Sequence, residues 1–117
     1  MSEELSAEDA KLVTLARGAR GRVGSVTGAA LRDETGRTYS AADVDLPSLG
    51  LSALQLAVAQ AVASGSRGVE SAVIVTSDSH AQHDSRALAE LGDATTPLIV
   101  CDPAGNVVRR VTAGQGE

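Results

Sequence analysis

The stretch Gly50-Leu-Ser-Ala-Leu-Gln-Leu-Ala-Val-Ala-Gln-Ala-Val-Ala-Ser-Gly65 decides how the chain is read. No charged residue occurs between Asp45 and Arg67, although 21% of the 117 residues are charged. The stretch predicts a helix with apolar residues on every side, and such a helix is normally buried on every side. It is read as the central helix of the fold, with Ser52 as its N-cap and Gly65 as its stop. Its strongest apolar run, about residues 51–63, is too short for a bilayer, and Pro47, Gly50, Gln55, Gln60 and Ser64 interrupt the stretch. No membrane partner is expected.

Upstream, Ser6-Ala-Glu-Asp9 resembles a capping box, and Leu12, Val13, Ala16 and Ala19 follow at helical spacing. Gly18, Gly21 and Gly24 end that segment, so a helix is expected over residues 6–18. Residues 26–31 and 37–41 flank Asp33-Glu-Thr-Gly36 and read as a hairpin. Asp43-Val-Asp45 then leads through Pro47 into the central helix. Downstream, the β-branched run at 69–76 reads as an interior strand. The polar residues 77–85 form a loop, 86–91 a short helix ended by Gly92, and 97–101 a buried strand. Asp102-Pro-Ala-Gly105 has the residue order of a tight turn. Residues 106–111 return as an outer strand, and 112–117 are expected to be a loose tail. Strands and helices alternate in the middle of the chain, which implies an α/β layered domain with a mixed sheet.

The length suits one domain over residues 1–117. There is one aromatic residue, Tyr39, and no Phe or Trp, so the core must be built from Ala, Val and Leu and the helices must pack closely on the sheet. A domain so small and Ala-rich is expected to complete its burial as a homo-oligomer, a dimer or tetramer. The net charge of −5 and the missing aromatics argue against a nucleic-acid partner, which needs phosphate-neutralising cations and stacking platforms. The single cysteine, Cys101, excludes an intrachain disulfide and sits in an apolar run as an inert core thiol. The acidic, polar start is unlike a signal peptide, and a reduced cytoplasmic setting is expected.

Candidate chemistry is sparse. His80-Ala-Gln-His83, with Asp78 and Asp84, is the one metal-like cluster; a solvated loop between strand and helix is the plainer reading. Asp43 and Asp45 alternate with Val44, so their side chains share one face and would suit a sugar, a cation or an Arg, or stand solvated at a strand end. Ser52 and Ser85 read as N-caps, and Tyr39 as a residue packed on the sheet.

The order of elements, together with particular residues, resembles the cytidine deaminase family. Gly28-Ala-Ala-Leu31 matches the segment that family carries before its first turn. Thr35-Gly-Arg-Thr-Tyr39 and Asp43-Val-Asp45 stand where it has Asp-Gly-x-x-aromatic and Asn-Val-Glu. Ser52-Ala53-Leu54 falls on its Cys-Ala-Glu, and Ala81-Gln-His-Asp-Ser85-Arg86 on its Pro-Cys-x-x-Cys-Arg. The resemblance implies a three-layer α/β/α domain with a mixed five-stranded sheet. In such a deaminase three thiolate or imidazole ligands hold Zn²⁺, and a Glu shuttles protons between bound water and base. Ser52, Gln82 and Ser85 occupy the ligand places and Leu54 that of the Glu. Asp43 and Asp45 occupy the places that would grip a ribose. The expected protein is non-catalytic, without a cofactor: an oligomeric scaffold, interaction module or nucleoside-binding module. The alternative is a divergent zinc hydrolase using His80, His83 and an Asp.

Overall fold

A computed structural model describes residues 5–115. Helix α1 (Ala7–Val23) opens the chain, followed by β1 (Thr27–Asp33), β2 (Thr38–Ala42), β3 (Val44–Leu46) and β4 (Leu49–Leu51). Helix α2 (Ala53–Ala63), β5 (Val69–Thr76), α3 (Arg86–Leu91), β6 (Pro97–Cys101) and β7 (Val107–Thr112) complete it. The main sheet has the order β2-β1-β5-β6-β7. Its β5–β6 pair is parallel and its other pairs antiparallel, so the sheet is mixed and five-stranded as expected.

Strand alternation distributes the core to two faces. Ala30, Val73, Val75, Ile99 and Cys101 pack against Leu12, Val13 and Ala16 of α1. Their neighbours Ala29, Leu31, Ala72, Ile74 and Leu98 face Leu54, Ala57, Val58 and Ala61 of α2 and Leu88 of α3. Successive residues of a strand point to opposite faces, so interior strands covered on both sides must be apolar throughout. That is why residues 72–75 form an unbroken buried run. The domain has three layers, α1 over the sheet over α2 and α3.

Helix α1 is longer than its glycines suggest. It runs through Gly18 and Gly21 and stops at Gly24, whose φ of 66° places it in the left-handed region. Interior glycines cost about 1 kcal/mol each relative to Ala. The longer helix offsets this in part by burying Ala19 against the sheet, and Arg20 Nε donates to the nearby Val26 carbonyl at 3.0 Å. At the other end Ser6 Oγ accepts from the Asp9 amide at 3.1 Å. The Asp9 carboxylate turns away to Arg32 at 3.1 Å, and Arg32 also bonds Glu70 at 2.7 Å, joining α1, β1 and β5.

Three further expectations are corrected. Residues 43–51 are not a simple lead-in; Val44, Asp45 and Leu46 pair antiparallel with Leu51, Gly50 and Leu49 as a separate two-stranded ribbon. The central helix is not buried on every side: Ala59, Val62 and Ala63 are exposed, because the sheet covers one face of α2 within this chain. The tail is ordered as far as it is described. Ala113–Gln115 makes a short 3-10 turn, Ala113 is buried, and its amide donates to the Thr96 carbonyl at 2.8 Å. Residues 116–117 of that expected tail lie outside the described residues.

Close packing of α1 on the sheet has a definite point of contact. A Cβ on Gly28 would lie 2.1 Å from the Ala16 carbonyl oxygen and 2.9 Å from the Arg20 amide. These are backbone atoms and cannot step aside without moving the helix. Gly28→Ala is expected to destabilise the fold by about 3 kcal/mol, the upper part of the overpacking range. Urea unfolding followed by far-UV circular dichroism measures this.

The β1–β2 turn is locked by Asp33, 1% exposed. Its carboxylate accepts from the Thr35 amide (2.9 Å), Thr35 Oγ1 (2.7 Å), the Arg37 amide (3.0 Å) and Ser66 Oγ (2.5 Å). The last bond ties the turn to the chain leaving α2. Burial opposes the charge, but the hydrogen bonds from Ser66, Thr35 and Arg37 outweigh it and hold the carboxyl down at about 2. The lowered value means that the charged form stabilises the folded state above the ordinary carboxylate range. That stabilisation is lost as pH falls from about 4 through about 2. Asp33→Ala is expected to cost about 3 kcal/mol at neutral pH, since it leaves several donors without an acceptor. It should also flatten the acid limb of a stability–pH curve measured by denaturant titration.

Candidate functional site

The positions that the resemblance assigns to catalysis fall at the starts of α2 and α3. At α2, Ser52 Oγ accepts from the Gln55 amide at 3.0 Å, and Gln55 Oε1 accepts from the Ser52 amide at 2.9 Å. This is a reciprocal capping box, so the expected N-cap is present. Asp43 adds a second link. Its Oδ1 accepts from the Ala53 amide at 2.9 Å and its Oδ2 from the Thr27 amide at 3.2 Å. Asp43 is therefore not simply solvated at a strand end; it joins the first turn of α2 to the first residue of β1. Asp45, two residues on, is exposed on the ribbon and shares none of these bonds.

Leu54 is 3% exposed and lies in the apolar cluster with Ala57, Leu88 and Leu98. A carboxylate there would be surrounded by hydrocarbon. Ser85 is also fully buried, but it is not the side-chain N-cap expected of it. Its hydroxyl donates to the Ala113 carbonyl at 2.5 Å, fastening the start of α3 to the turn after β7. The local sequence before Arg86 matches an N-cap; the competing acceptor is 28 residues away in sequence. Gln82 is exposed.

The loop between β5 and α3 is held at several points. Thr76 Oγ1 bonds Thr27 Oγ1 at 2.9 Å and accepts from the Asp78 amide at 3.0 Å. Arg109 of β7 reaches over the sheet, its Nη2 donating to the Ala81 carbonyl at 2.5 Å. Asp84 pairs with Arg86 at 2.6 Å, and the hydrogen bonds from Arg86 hold its carboxyl down at about 2. His80 is exposed and His83 half-buried. The His83 Nε2 atom is buried without a hydrogen-bond partner, as is Arg109 Nε. Burial, then the nearby Arg109 charge, pulls the imidazole below its usual protonation range; Asp78 and Asp43 act in the opposite sense. Cys101 is buried in β6, and burial followed by the Asp102 charge pushes its thiol up to about 11, as suits an inert core thiol.

The structure thus brings His83 near Asp43, Asp78 and Arg109, and leaves His80, Gln82 and Asp45 at the surface. Among the described residues no three His, Cys, Asp or Glu side chains come together as a metal site. Sequence reasoning missed Arg109, whose signal was slight: a cation in an alternating edge strand, distant in sequence from the loop it straps down. It also missed that Asp43 serves the helix start, a role that depends on where β1 begins.

A mixed five-stranded sheet between one helix and two others defines the class of the fold. A family model described as cytidine deaminase-like matches residues 5–105, and the chain belongs to that family. Solved structures agree. The cytidine deaminase of Burkholderia pseudomallei is 23% identical, covers 94% of each chain and superposes with a TM-score of 0.77. That of Mycobacterium leprae is 20% identical over 95% of this chain and 97% of its own, with a TM-score of 0.70. The Mycobacterium tuberculosis enzyme is 22% identical over 93% of each chain, TM-score 0.68. At these identities the likeness carries the fold. No curated protein sequence matches the chain. Among the described residues no helix is long and apolar enough to cross a membrane.

The zinc that the resemblance implies does not fit the residues at its positions. Two hydroxyls and an amide do not supply the thiolate and imidazole donors such zinc takes, and both hydroxyls are already engaged with the protein backbone. Leu54→Glu would restore the missing carboxylate to a site with no partner for it. It is expected to destabilise the fold by 4 kcal/mol or more, roughly the cost of an uncompensated buried charge. The midpoint of urea unfolding checks this, and Leu54→Met should change it by less than about 1.5 kcal/mol.

Proposed function

We propose that this chain is a non-catalytic member of the cytidine deaminase-like family that works, without a cofactor, as a homo-oligomeric scaffold or interaction protein. The observation that carries the reading is the use made of the catalytic positions. The Ser52 hydroxyl caps α2, the Ser85 hydroxyl ties α3 to Ala113, and Leu54 fills the core. Groups so engaged serve the fold. The same reasoning weighs against a nucleoside-binding role for Asp43, because both of its oxygens already accept backbone amides. A scaffold role is preferred to a nucleoside-binding one on that ground.

A second reading, a divergent zinc hydrolase, draws on His83. Its buried Nε2 lacks a hydrogen-bond partner, and it lies near Asp78 and Asp43. It would need a further ligand and a proton-transfer group beyond these.

Elemental analysis of the native protein, a cytidine deamination assay and a light-scattering mass separate the two. The first reading expects no stoichiometric zinc, no turnover and the mass of a dimer or tetramer. One zinc per chain together with cytidine turnover would establish the hydrolase instead.

A further inference from the structure

Charge is distributed unevenly along the chain. Between Asp9 and Asp33 stand Lys11, Arg17, Arg20, Arg22 and Arg32, and no carboxylate. The remaining residues set fifteen carboxylates against five cations. Arg32 is taken by Asp9 and Glu70. Lys11, Arg17 and Arg22 are exposed on α1, and among the described residues no carboxylate pairs with any of them. Glu8 stands one turn before Lys11, at the end of the helix away from the arginines. Asp102, next to the Pro103 carbonyl that holds Arg17, is occupied by the Ala104 and Asn106 amides.

The helix dipole accounts for part of this pattern. It favours cations in the last turn, where Arg20 and Arg22 stand, and falls off beyond it. Lys11 lies in the second turn and Arg17 ahead of the last one, so the dipole gives no reason for either. Arg17 is held in place, its Nε donating to the Pro103 carbonyl at 3.1 Å. A guanidinium fixed through Nε presents its two Nη groups as a fork that fits a carboxylate. At the other end of the face, a cavity of about 290 Å³ is lined by Lys11, Thr14 and Leu15 of α1 and Thr38 of β2. Leu15 gives it an apolar wall, and the Lys11 ammonium is its one charge.

We infer that the outer face of α1, from Lys11 to Arg22, docks a short acidic segment of a protein partner, with an aliphatic side chain of that segment in the cavity beside Lys11. This rests on the interaction-protein reading above and names the face and the chemistry of the partner. Lys11 and Arg22 are about 16 Å apart along the helix axis, which an extended segment of about five residues spans. Charge selects the class of partner. A membrane surface or a nucleic-acid duplex is negative over a wide area and would also meet the acidic remainder of this chain, whereas a short segment touches α1 alone. The chain's one aromatic residue gives single-stranded nucleic acid no platform to stack on. The face lies across the sheet from α2 and α3, so it is open whatever happens at the starts of those helices.

The test titrates a fluorescent peptide of glutamates and leucines into the full chain, reads binding by anisotropy and locates it by backbone amide shifts. Binding is expected to weaken as salt rises, with shifts gathered on residues 11–22 and Thr38. K11Q/R22Q should weaken it about tenfold, the loss of two exposed charge contacts. R67Q/R86Q makes the same charge change away from α1, where screening separates it from the peptide, and should leave the affinity within about twofold. L15E puts a carboxylate into the cavity and should abolish binding. The replaced cations are exposed and Gln is a good helix former, so circular dichroism should not change; should K11Q/R22Q fail to fold, L15E and the shift map decide. No binding, shifts lying off α1, or equal losses in the two double variants would overturn the assignment. Tighter binding of phosphatidylserine vesicles or of duplex DNA than of the peptide would overturn it too, and give the face to that class of partner. Failure here leaves the zinc, turnover and mass results standing. Zinc with cytidine turnover would overturn the earlier reading while peptide binding on α1 persists.

Discussion

Close approach of helix to sheet is the constraint on which the rest of the structure depends. With no Phe or Trp and a single Tyr, the layers have no large side chains to span a gap between them. Alanines at 16, 29, 30, 57 and 72 let the backbones come together, and Gly28 marks where α1 lies directly on β1. Dispersion contacts are individually small and fall away steeply with separation, so a core of small residues holds only if it is tight. The locked β1–β2 turn serves the same need, because β1, like β5 and β6, is covered by both helical layers.

Buried polar links position the remaining parts. Asp33 joins the first turn to the chain leaving α2, Asp43 joins β1 to the start of α2, and Ser85 joins α3 to the turn beyond β7. Asp33 and Ser85 are removed from water and Asp43 partly so, and each is satisfied by a partner elsewhere in the chain. A polar group left unpaired in such a place costs more than the bond contributes when made, so these links specify geometry as much as they add stability. Two of the three lie at the starts of α2 and α3. There the polar groups serve internal order, and Leu54 is buried in the core. The charge missing from α2 thus has a local cause at Leu54, in the core, and a different one at Ala59, Val62 and Ala63, which face outward.

Much of the architecture was legible because it depends on local periodicity. Unbroken β-branched and apolar runs placed β5 and β6, the hairpin of β1 and β2 followed from its turn residues, and Ser52 stood out as the N-cap of α2. The misreadings share a cause. Gly18 and Gly21 looked like stops, but the burial of Ala19 and the Arg20 bond to the Val26 carbonyl carried α1 onward. Ser85 looked like a cap, but the Ala113 carbonyl was the better acceptor in space. The ribbon's strands are three residues each, too short for alternation to stand out around Pro47 and Ser48. The absence of charge from 46 to 66 was read as burial, whereas it marks a core face of α2 and an uncovered aliphatic surface alike.

The sequence by itself determined the α/β class, the order of its elements and the aliphatic character of the core. These follow from composition, period and spacing, which a chain carries without folding. Only the tertiary structure decided the individual contacts: that Asp43 holds two amides, that the Ser85 hydroxyl bonds Ala113, that Arg109 straps the loop at Ala81, and that Leu46 and Leu49 stand exposed. The physical reason is that a hydrogen bond or an apolar contact is made to whatever lies nearest in space. In a sheet ordered β2-β1-β5-β6-β7, those neighbours come from segments far apart along the chain.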